Sequence, residues 1–210
     1  MSKHPAPTSK PPRQRNRRGE GDRLRAEIIA AAIRVLERLG PDDPISLRAV
    51  AKEAKISPPS VYLQFSDMTP LMVAVLEQLI NELSDYSRAA EDAVGGAGGG
   101  PWDRLRARSL AYVRFGLERN APYKVLYEGR ALARIDDVAL VAFTGVLSQR
   151  NAELIRECMP TAPDPDRLAL LLWTSLYGMV SLRINKPILM WPDADELAVQ
   201  ILRALVPEPT

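Results

Sequence analysis

Beyond about residue 22, apolar residues recur at spacings of three and four, and nowhere do they alternate as a half-buried strand requires. Leu24, Ile28, Ala32, Val35 and Leu39 mark one face of a first helix, opened near Asp22 and ended by Gly40 and Pro41. Leu47, Val50, Ala51 and Ala54 form the inner stripe of a second helix that Ser46 can cap. Ser57 can cap a third, and Pro58 suits its first position because that backbone nitrogen has no helical partner. Val61 and Phe65 face inward there. Asp67 can cap a fourth helix, with Pro70 in its first turn and Leu71, Val75, Leu79 and Leu83 repeating every four residues. The glycine-rich stretch 93–101 reads as a flexible connection. Helical patterning resumes at Trp102 and runs to about Arg119. A short helix follows from Pro122 to about Gly129, then a long one from about Asp136 to Met159 with Leu140, Phe143, Leu147, Leu154 and Cys158 on one side. Residues 166–184 form a helix apolar on nearly every side, and a last helix carries Leu197, Ile201, Leu202 and Leu205. The expected fold is all-α, with about nine helices in three stretches: an arm at 1–21, a three-helix unit at 22–67 and a larger helical body at 68–210.

Charge changes this picture at one end only. Net charge is +2, yet residues 1–25 hold eight Lys/Arg against Glu20 and Asp22, while the remainder is mildly acidic. A basic, proline-rich arm on an acidic body suits a polyanion at that end, and its composition predicts disorder without a partner. Cys158 is the sole cysteine and His4, in the arm, the sole histidine. A disulfide framework, a metal site and histidine-based catalysis are not expected, nor is any cofactor. The glycine run lacks the lysine and the preceding strand of a phosphate loop. With no uncharged apolar run of membrane-spanning length and no secretory leader, a cytoplasmic protein without membrane contact is expected.

The segment Ser46 to Phe65 carries the most chemistry. Two short helices joined by a tight turn, the second with a polar, proline-headed tip, are how a helix-turn-helix presents a helix end to the DNA major groove. Pro58, Pro59, Ser60, Leu63 and Gln64 lie on the outer side of that second helix. Gln64 can pair an adenine edge, and the prolines or Leu63 can meet a thymine methyl. Arg48 can reach a guanine or a phosphate, and Ser46 and Tyr62 can hold phosphates through their hydroxyls. Arg13, Arg15, Arg17, Arg18 and Arg23 of the arm region supply further cations.

The ordered set of Leu39-Gly40, Ser46 to Ala54, Ile56-Ser57, Ser60-Val61-Tyr62, Phe65 and Leu71 resembles the tetracycline-repressor (TetR) family of bacterial regulators over about residues 23–75. The resemblance implies DNA-interface roles for Arg48, Ser57, Ser60, Tyr62 and Gln64. Three positions depart from the family pattern. Lys55 stands where the turn usually has glycine, Pro59 where glycine is common, and Met68 where a lysine usually anchors phosphate. The basic arm is the candidate substitute for that missing anchor.

In the larger body, the all-round apolar helix 166–184 needs cover on two sides. A second subunit is the simplest cover for one of them, alongside helix 194–205, with Gly178 allowing close approach. Twofold symmetry would match a pseudo-palindromic operator of double-stranded DNA. Trp173 to Gly178 resembles the Trp-x-x-x-His-Gly signature of one C-terminal subgroup of the same family, with Tyr177 replacing the histidine. The family resemblance also implies a ligand pocket. Phe115, Tyr123, Tyr127, Phe143, Trp173 and Tyr177 are the candidate lining, although aromatics at helical spacing are more often core. Few charges fall on the inner faces, so the expected ligand is small and apolar or aromatic. The sequence thus points to a homodimeric repressor released by a ligand. The alternatives are a constitutive DNA-binding protein and a helical enzyme, the latter without an identifiable catalytic set.

Overall fold

The computed structural model describes residues 20–39, 44–127 and 137–209, and the side chains of all of these except 137–147. Among them are nine α-helices and no strand: α1 (Glu20–Arg38), α2 (Leu47–Glu53), α3 (Pro58–Tyr62), α4 (Met68–Gly96), α5 (Pro101–Glu118), α6 (Asn120–Tyr127), α7 (Asp137–Cys158), α8 (Pro165–Asn185) and α9 (Ala194–Leu205). The arm residues Arg13, Arg15, Arg17 and Arg18 lie outside the described residues, and so does the side chain of Phe143.

Local chemistry sets most helix starts. The Ser46 hydroxyl accepts from Ala49 N at 3.2 Å, and the carboxylates of Asp67, Asp164 and Asp193 do the same for α4, α8 and α9. Ser57 stands at the N-cap of α3, yet its hydroxyl pairs with Ser60 Oγ at 2.8 Å rather than capping the backbone. Pro58 occupies the opening position, as its missing N–H allows.

The first three helices share one small core. Ile28, Ala31, Ala32, Val50, Ala51 and Val61 are wholly buried, and Phe65 nearly so. Arg25 of α1 lies over the Phe65 ring, 4.4 Å from its centroid. A charged clamp joins α1 to α2: Glu53 accepts from Arg38 at 2.5 Å and Arg34 at 2.8 Å. These two hydrogen bonds pull its carboxyl down to about 2. The clamp is therefore intact above the ordinary carboxylate range and is lost as the pH falls toward 2. Between α2 and α3, Lys55 holds φ at 56°, the left-handed region where a Cβ is costly.

α4 is one helix of 29 residues that begins beside α3 and continues into the larger body. Leu71, Val75, Leu79 and Leu83 are fully buried along it, as their spacing predicts. It also runs further than expected. Residues 93–96, assigned to a flexible connection from their glycines, continue the helix, and the break comes at 97–100. Gly98 closes it with φ of 84°, while Gly98 N and Gly99 N donate to the carbonyls of Gly95 and Val94 at 3.0 Å.

α5 is the hub of the larger body, touching α4, α6, α7, α8 and α9. Trp102 Nε1 donates to the Val206 carbonyl at 2.9 Å, fastening the start of α5 to the end of α9. Gly116 lets α6 and α8 come close, since a Cβ there would lie 2.5 Å from Val180 and 3.0 Å from Tyr123. α6 in turn also touches α1. By length and composition α8 could cross a membrane, but its inner side is that of a core helix, with Ala169, Leu172, Leu176 and Val180 buried. Its other side is uncovered: Leu170, Leu171 and Leu182 are exposed, as are Ile188, Leu189 and Met190 in the loop beyond.

Few charges are buried among the described residues, as expected, but two of them meet inside the larger body. Glu91 and Arg108 are both buried, paired at 3.0 Å. Apolar periodicity cannot register such a pair, because each charge occupies an inward position that looks merely polar in sequence.

Two changes test this packing. Gly116→Ala is expected to destabilise the protein by about 1–3 kcal/mol, because Val180 and the Tyr123 ring must move; urea unfolding measures it, and an unchanged midpoint would contradict the close approach. Lys55→Gly is expected to stabilise by about 1 kcal/mol, by relieving the left-handed backbone at φ 56°. A loss of stability in the same assay would contradict that strain.

Candidate DNA interface and interior cavity

The outer surface of α3 is built by contrast with its inner one. Val61 and Phe65 anchor the helix, so the residues between them must turn outward. Tyr62 is 53% exposed and Leu63 71%, unusual values for large side chains in an otherwise packed unit. Pro58, Pro59 and Ser57 are also exposed, while Ser60 and Gln64 are half-buried. Ser46 and Arg48 are exposed at the start of α2. Arg48, Lys52 and Lys55 have no ion-pair partner among the described residues, whereas Glu53, the one acid of α2, is held by α1. The surface around α3 therefore presents free cations, hydroxyls and an apolar tip.

The start of α1 lies against this surface. A methyl group at Gly21 would stand 4.0 Å from Gln64 Nε2. The N-terminal end of α1 thus lies beside the C-terminal end of α3. Arg23, in the same turn of α1, is exposed and pairs with Glu27 at 3.4 Å. Met68, half-buried, packs against the core at the start of α4 and offers no charge there.

The larger body contains a small, partly open cavity of about 20 Å³ between α4, α5, α7 and α8. Ser87, Arg108, Ser109, Tyr112, Ser148, Asn151, Trp173 and Leu176 line it. Of the six aromatics expected there, Trp173 is on the wall. Tyr123, Tyr127 and Tyr177 form a cluster behind it, with Tyr127 5.4 Å from Tyr177 and 6.2 Å from Trp173 between ring centroids. Tyr112, which sequence reasoning missed, joins wall and cluster through its hydroxyl, 3.1 Å from that of Tyr123. Burial pushes the Tyr112 and Tyr127 phenols above their ordinary range, so both stay neutral. Phe115 stands apart, packed on Tyr86 at 5.9 Å and under Arg119 at 5.3 Å.

One side of the cavity is ionic. Arg108 is 7% exposed at its side chain and Glu91 8%. Arg108 Nη1 donates to Glu91 at 3.0 Å and its Nε to Asn151 Oδ1 at 2.9 Å. Arg150 of α7 donates to the other oxygen of Glu91 through Nε at 3.0 Å and Nη2 at 2.5 Å. Burial acts to raise the Glu91 carboxyl, but the two arginines together outweigh it and hold it below its ordinary value. Arg150 also reaches Glu153 at 2.9 Å and Glu157 at 3.7 Å. Among the described residues no cluster of histidine, cysteine or carboxylates has the makings of a metal site.

Comparison with known proteins places this arrangement. The family described as bacterial regulatory proteins, tetR family, matches residues 28–75, and tetracyclin repressor-like, C-terminal domain, matches residues 105–205. Together they span more than half of the chain. No curated protein matches it. Among solved structures, a TetR family transcription regulator from Marinobacter aquaeolei VT8 is 19% identical with a TM-score of 0.65, covering 90% of this chain and 98% of its own. The multidrug binding protein EbrR, complexed with imidazole, is 25% identical with a TM-score of 0.63, covering 89% and 96%. The fatty acid degradation regulator FadR from Bacillus halodurans, 13% identical, shares the fold at a TM-score of 0.71, covering 91% and 97%. The subgroup likeness at 173–178 rests on the sequence alone. The chain belongs to the TetR family of transcription regulators, with a DNA-binding helix-turn-helix at its N-terminal end.

Proposed function

We propose that this regulator is a homodimeric repressor that holds a pseudo-palindromic operator and lets go when a small molecule enters the larger body. The observation that carries the DNA part is the exposure of Pro58, Pro59, Tyr62 and Leu63 on α3 and its C-cap, while Val61 and, just beyond the helix, Phe65 are buried. In this reading residues 1–21 are the DNA-gripping arm, 22–67 the DNA-binding domain and 68–210 the ligand-binding and dimerisation domain. Arg48 and Gln64 read base edges, with Pro58, Pro59 and Leu63 against thymine methyls. Ser46, Ser57, Ser60, Tyr62, Arg23 and the arm arginines at 13, 15, 17 and 18 hold the backbone. The protein works in the cytoplasm, where a bacterial operator is, and carries no catalytic role.

The uncovered face of α8 supports the dimer. Leu170, Leu171 and Leu182 are exposed, and a Cβ at Gly178 would meet nothing within 4 Å, which leaves room for a partner helix. Helices α8 and α9 of two copies would bury these side chains and set two α3 tips about 34 Å apart. The ligand part is supported by EbrR, which is named for binding multiple drugs. α4 is the connection, since it touches α1 near one end and the cavity near the other. To carry the protein from 99:1 bound to 1:99, a ligand must favour the released state by about 5.5 kcal/mol.

The cavity's small size favours one alternative, a constitutive DNA-binding protein. At about 20 Å³ it has room for a single water. Release of operator by any small molecule decides between the two.

Fragments selected from random DNA by the full chain supply the operator. Arg48→Ala, Tyr62→Ala and Gln64→Ala are each expected to weaken its binding by about 1–3 kcal/mol. Deleting residues 1–19 should flatten the salt dependence, by about one unit of slope for each phosphate that the arm no longer neutralises. Unchanged affinity in all three variants would remove the assignment of α3 as the reading helix. Leu171→Asp with Leu182→Asp is expected to give a folded monomer by light scattering, and a persisting dimer would relocate the interface.

A further inference from the structure

On the reading of residues 68–210 as a ligand-binding domain, we propose that the cavity takes a small molecule with a carboxylate or similar planar oxyanion on a flat aromatic body. We further propose that it acts by drawing Arg108 of α5 away from Glu91 of α4.

The polar wall combines hydroxyls, which can donate or accept, with the donor groups of Arg108 and Asn151. Asn151 commits its carbonyl oxygen to Arg108 Nε, which leaves its amide hydrogens to point elsewhere. Arg108 uses Nε and Nη1, while Nη2 has no hydrogen-bond partner among the described residues although the side chain is 7% exposed. A planar guanidinium edge beside an amide donor matches a carboxylate in shape and charge, better than it matches a neutral or cationic group. Trp173 and Tyr112 also line the cavity, backed by the tyrosine cluster, and they suit the face of an aromatic ring.

Arg108 can be given up because Glu91 is doubly held. Arg150 grips one carboxylate oxygen with two nitrogens, and Arg108 reaches only the other. When a ligand carboxylate takes Arg108, Glu91 stays paired with Arg150 and the ligand's charge is paired as well. No buried charge is orphaned, which is what makes the exchange feasible in a low-dielectric interior. The exchange breaks the tie between α4 and α5 and keeps the tie between α4 and α7. Since α4 is the helix of this pair that reaches α1, this is a change its N-terminal end can transmit to the DNA-facing unit. The cavity, about 20 Å³ as it stands, opens as Arg108 swings aside.

The test compares 1-naphthoate with 1-naphthamide, and benzoate with benzamide, on the full-length protein by calorimetry, with operator release measured in parallel. The acids are expected to bind at least tenfold more tightly than the amides. Arg108→Gln should abolish that preference, while Arg108→Lys, which keeps the charge, should retain part of it. Glu91→Gln should bind the acids several-fold more tightly, since their competitor is gone. Amides binding as tightly as acids, or no acid binding at millimolar concentration, would overturn the proposal, and neither result depends on a variant folding. The two readings fail separately. A neutral compound that binds here and releases operator would leave ligand-controlled repression standing and sink the carboxylate. Acid binding that requires Arg108 but leaves operator affinity unchanged would support the site and refute its coupling to DNA.

Discussion

A single uninterrupted helix, α4, takes part in both halves of the molecule, and its rigidity is the constraint on which the rest depends. At 29 residues it spans roughly 43 Å at about 1.5 Å per residue. Its first turns close the helix-turn-helix unit, Leu79 and Leu83 are buried along its middle, and further on it carries Ser87 to the cavity wall and Glu91 to Arg108. A helix this long has no soft joint along which the two halves could slide independently. Whatever repositions the Glu91 end must either bend α4 or move the Met68 end, and bending has no proline or glycine inside the span 71–94 to favour it.

The halves touch elsewhere only lightly, and that matters for the direction of coupling. α6 meets α1, and it carries Tyr123 and Tyr127 of the aromatic cluster. Behind α6 stands Gly116, whose missing side chain lets Val180 of α8 and the Tyr123 ring close on α5. The cluster, α6 and α1 therefore form a second contiguous path from the cavity to the DNA-facing unit. The two paths differ in kind: one is a packed aromatic stack, the other runs through a buried carboxylate, Glu91, held by two arginines. Packed side chains resist small shifts, whereas a carboxylate shared between two arginines has discrete alternatives.

Sequence alone made the N-terminal unit legible because its signals are local. Ser46, Pro58 and Asp67 act on the backbone within three residues of themselves, and Val61 with Phe65 forms a pair one helical turn apart. The stripe Leu71 to Leu83 is equally local. What was not legible depends on partners far along the chain. Glu91 meets Arg108 and Arg150, 17 and 59 residues away, and in sequence each looks like one more surface charge. Tyr112 and Phe115 lie on the same helix with similar surroundings, yet one faces the cavity and the other turns toward Tyr86, a choice set by how α4 and α5 cross. The extension of α4 through Gly95 and Gly96 was hidden because glycine lowers helix propensity without forbidding a helix, and the cap at Gly98 fixes the end.

The departures from the family pattern carry their own physical logic. Met68, in place of a lysine, adds apolar packing at the start of α4 and removes a positive charge from the rim of the DNA-facing surface. A cation at that point would have been fixed by the helix. Gly21, just past the basic segment in sequence, stands beside Gln64, and the proposed function gives the cations of that segment a tethered role. A tethered cation gains less from each phosphate it meets, because ordering the chain costs entropy, but it can follow a groove that a helix-borne lysine cannot reach. Lys55 shows the same exchange on a smaller scale. It bears the strain of a left-handed backbone that glycine would avoid, and in return stands exposed and unpaired in the turn between α2 and α3, where a phosphate backbone would pass. Rigid anchoring given up at one position and charge added at two others is a consistent redistribution. Under the proposed DNA contact, the grip shifts from the start of α4 toward the arm and the turn.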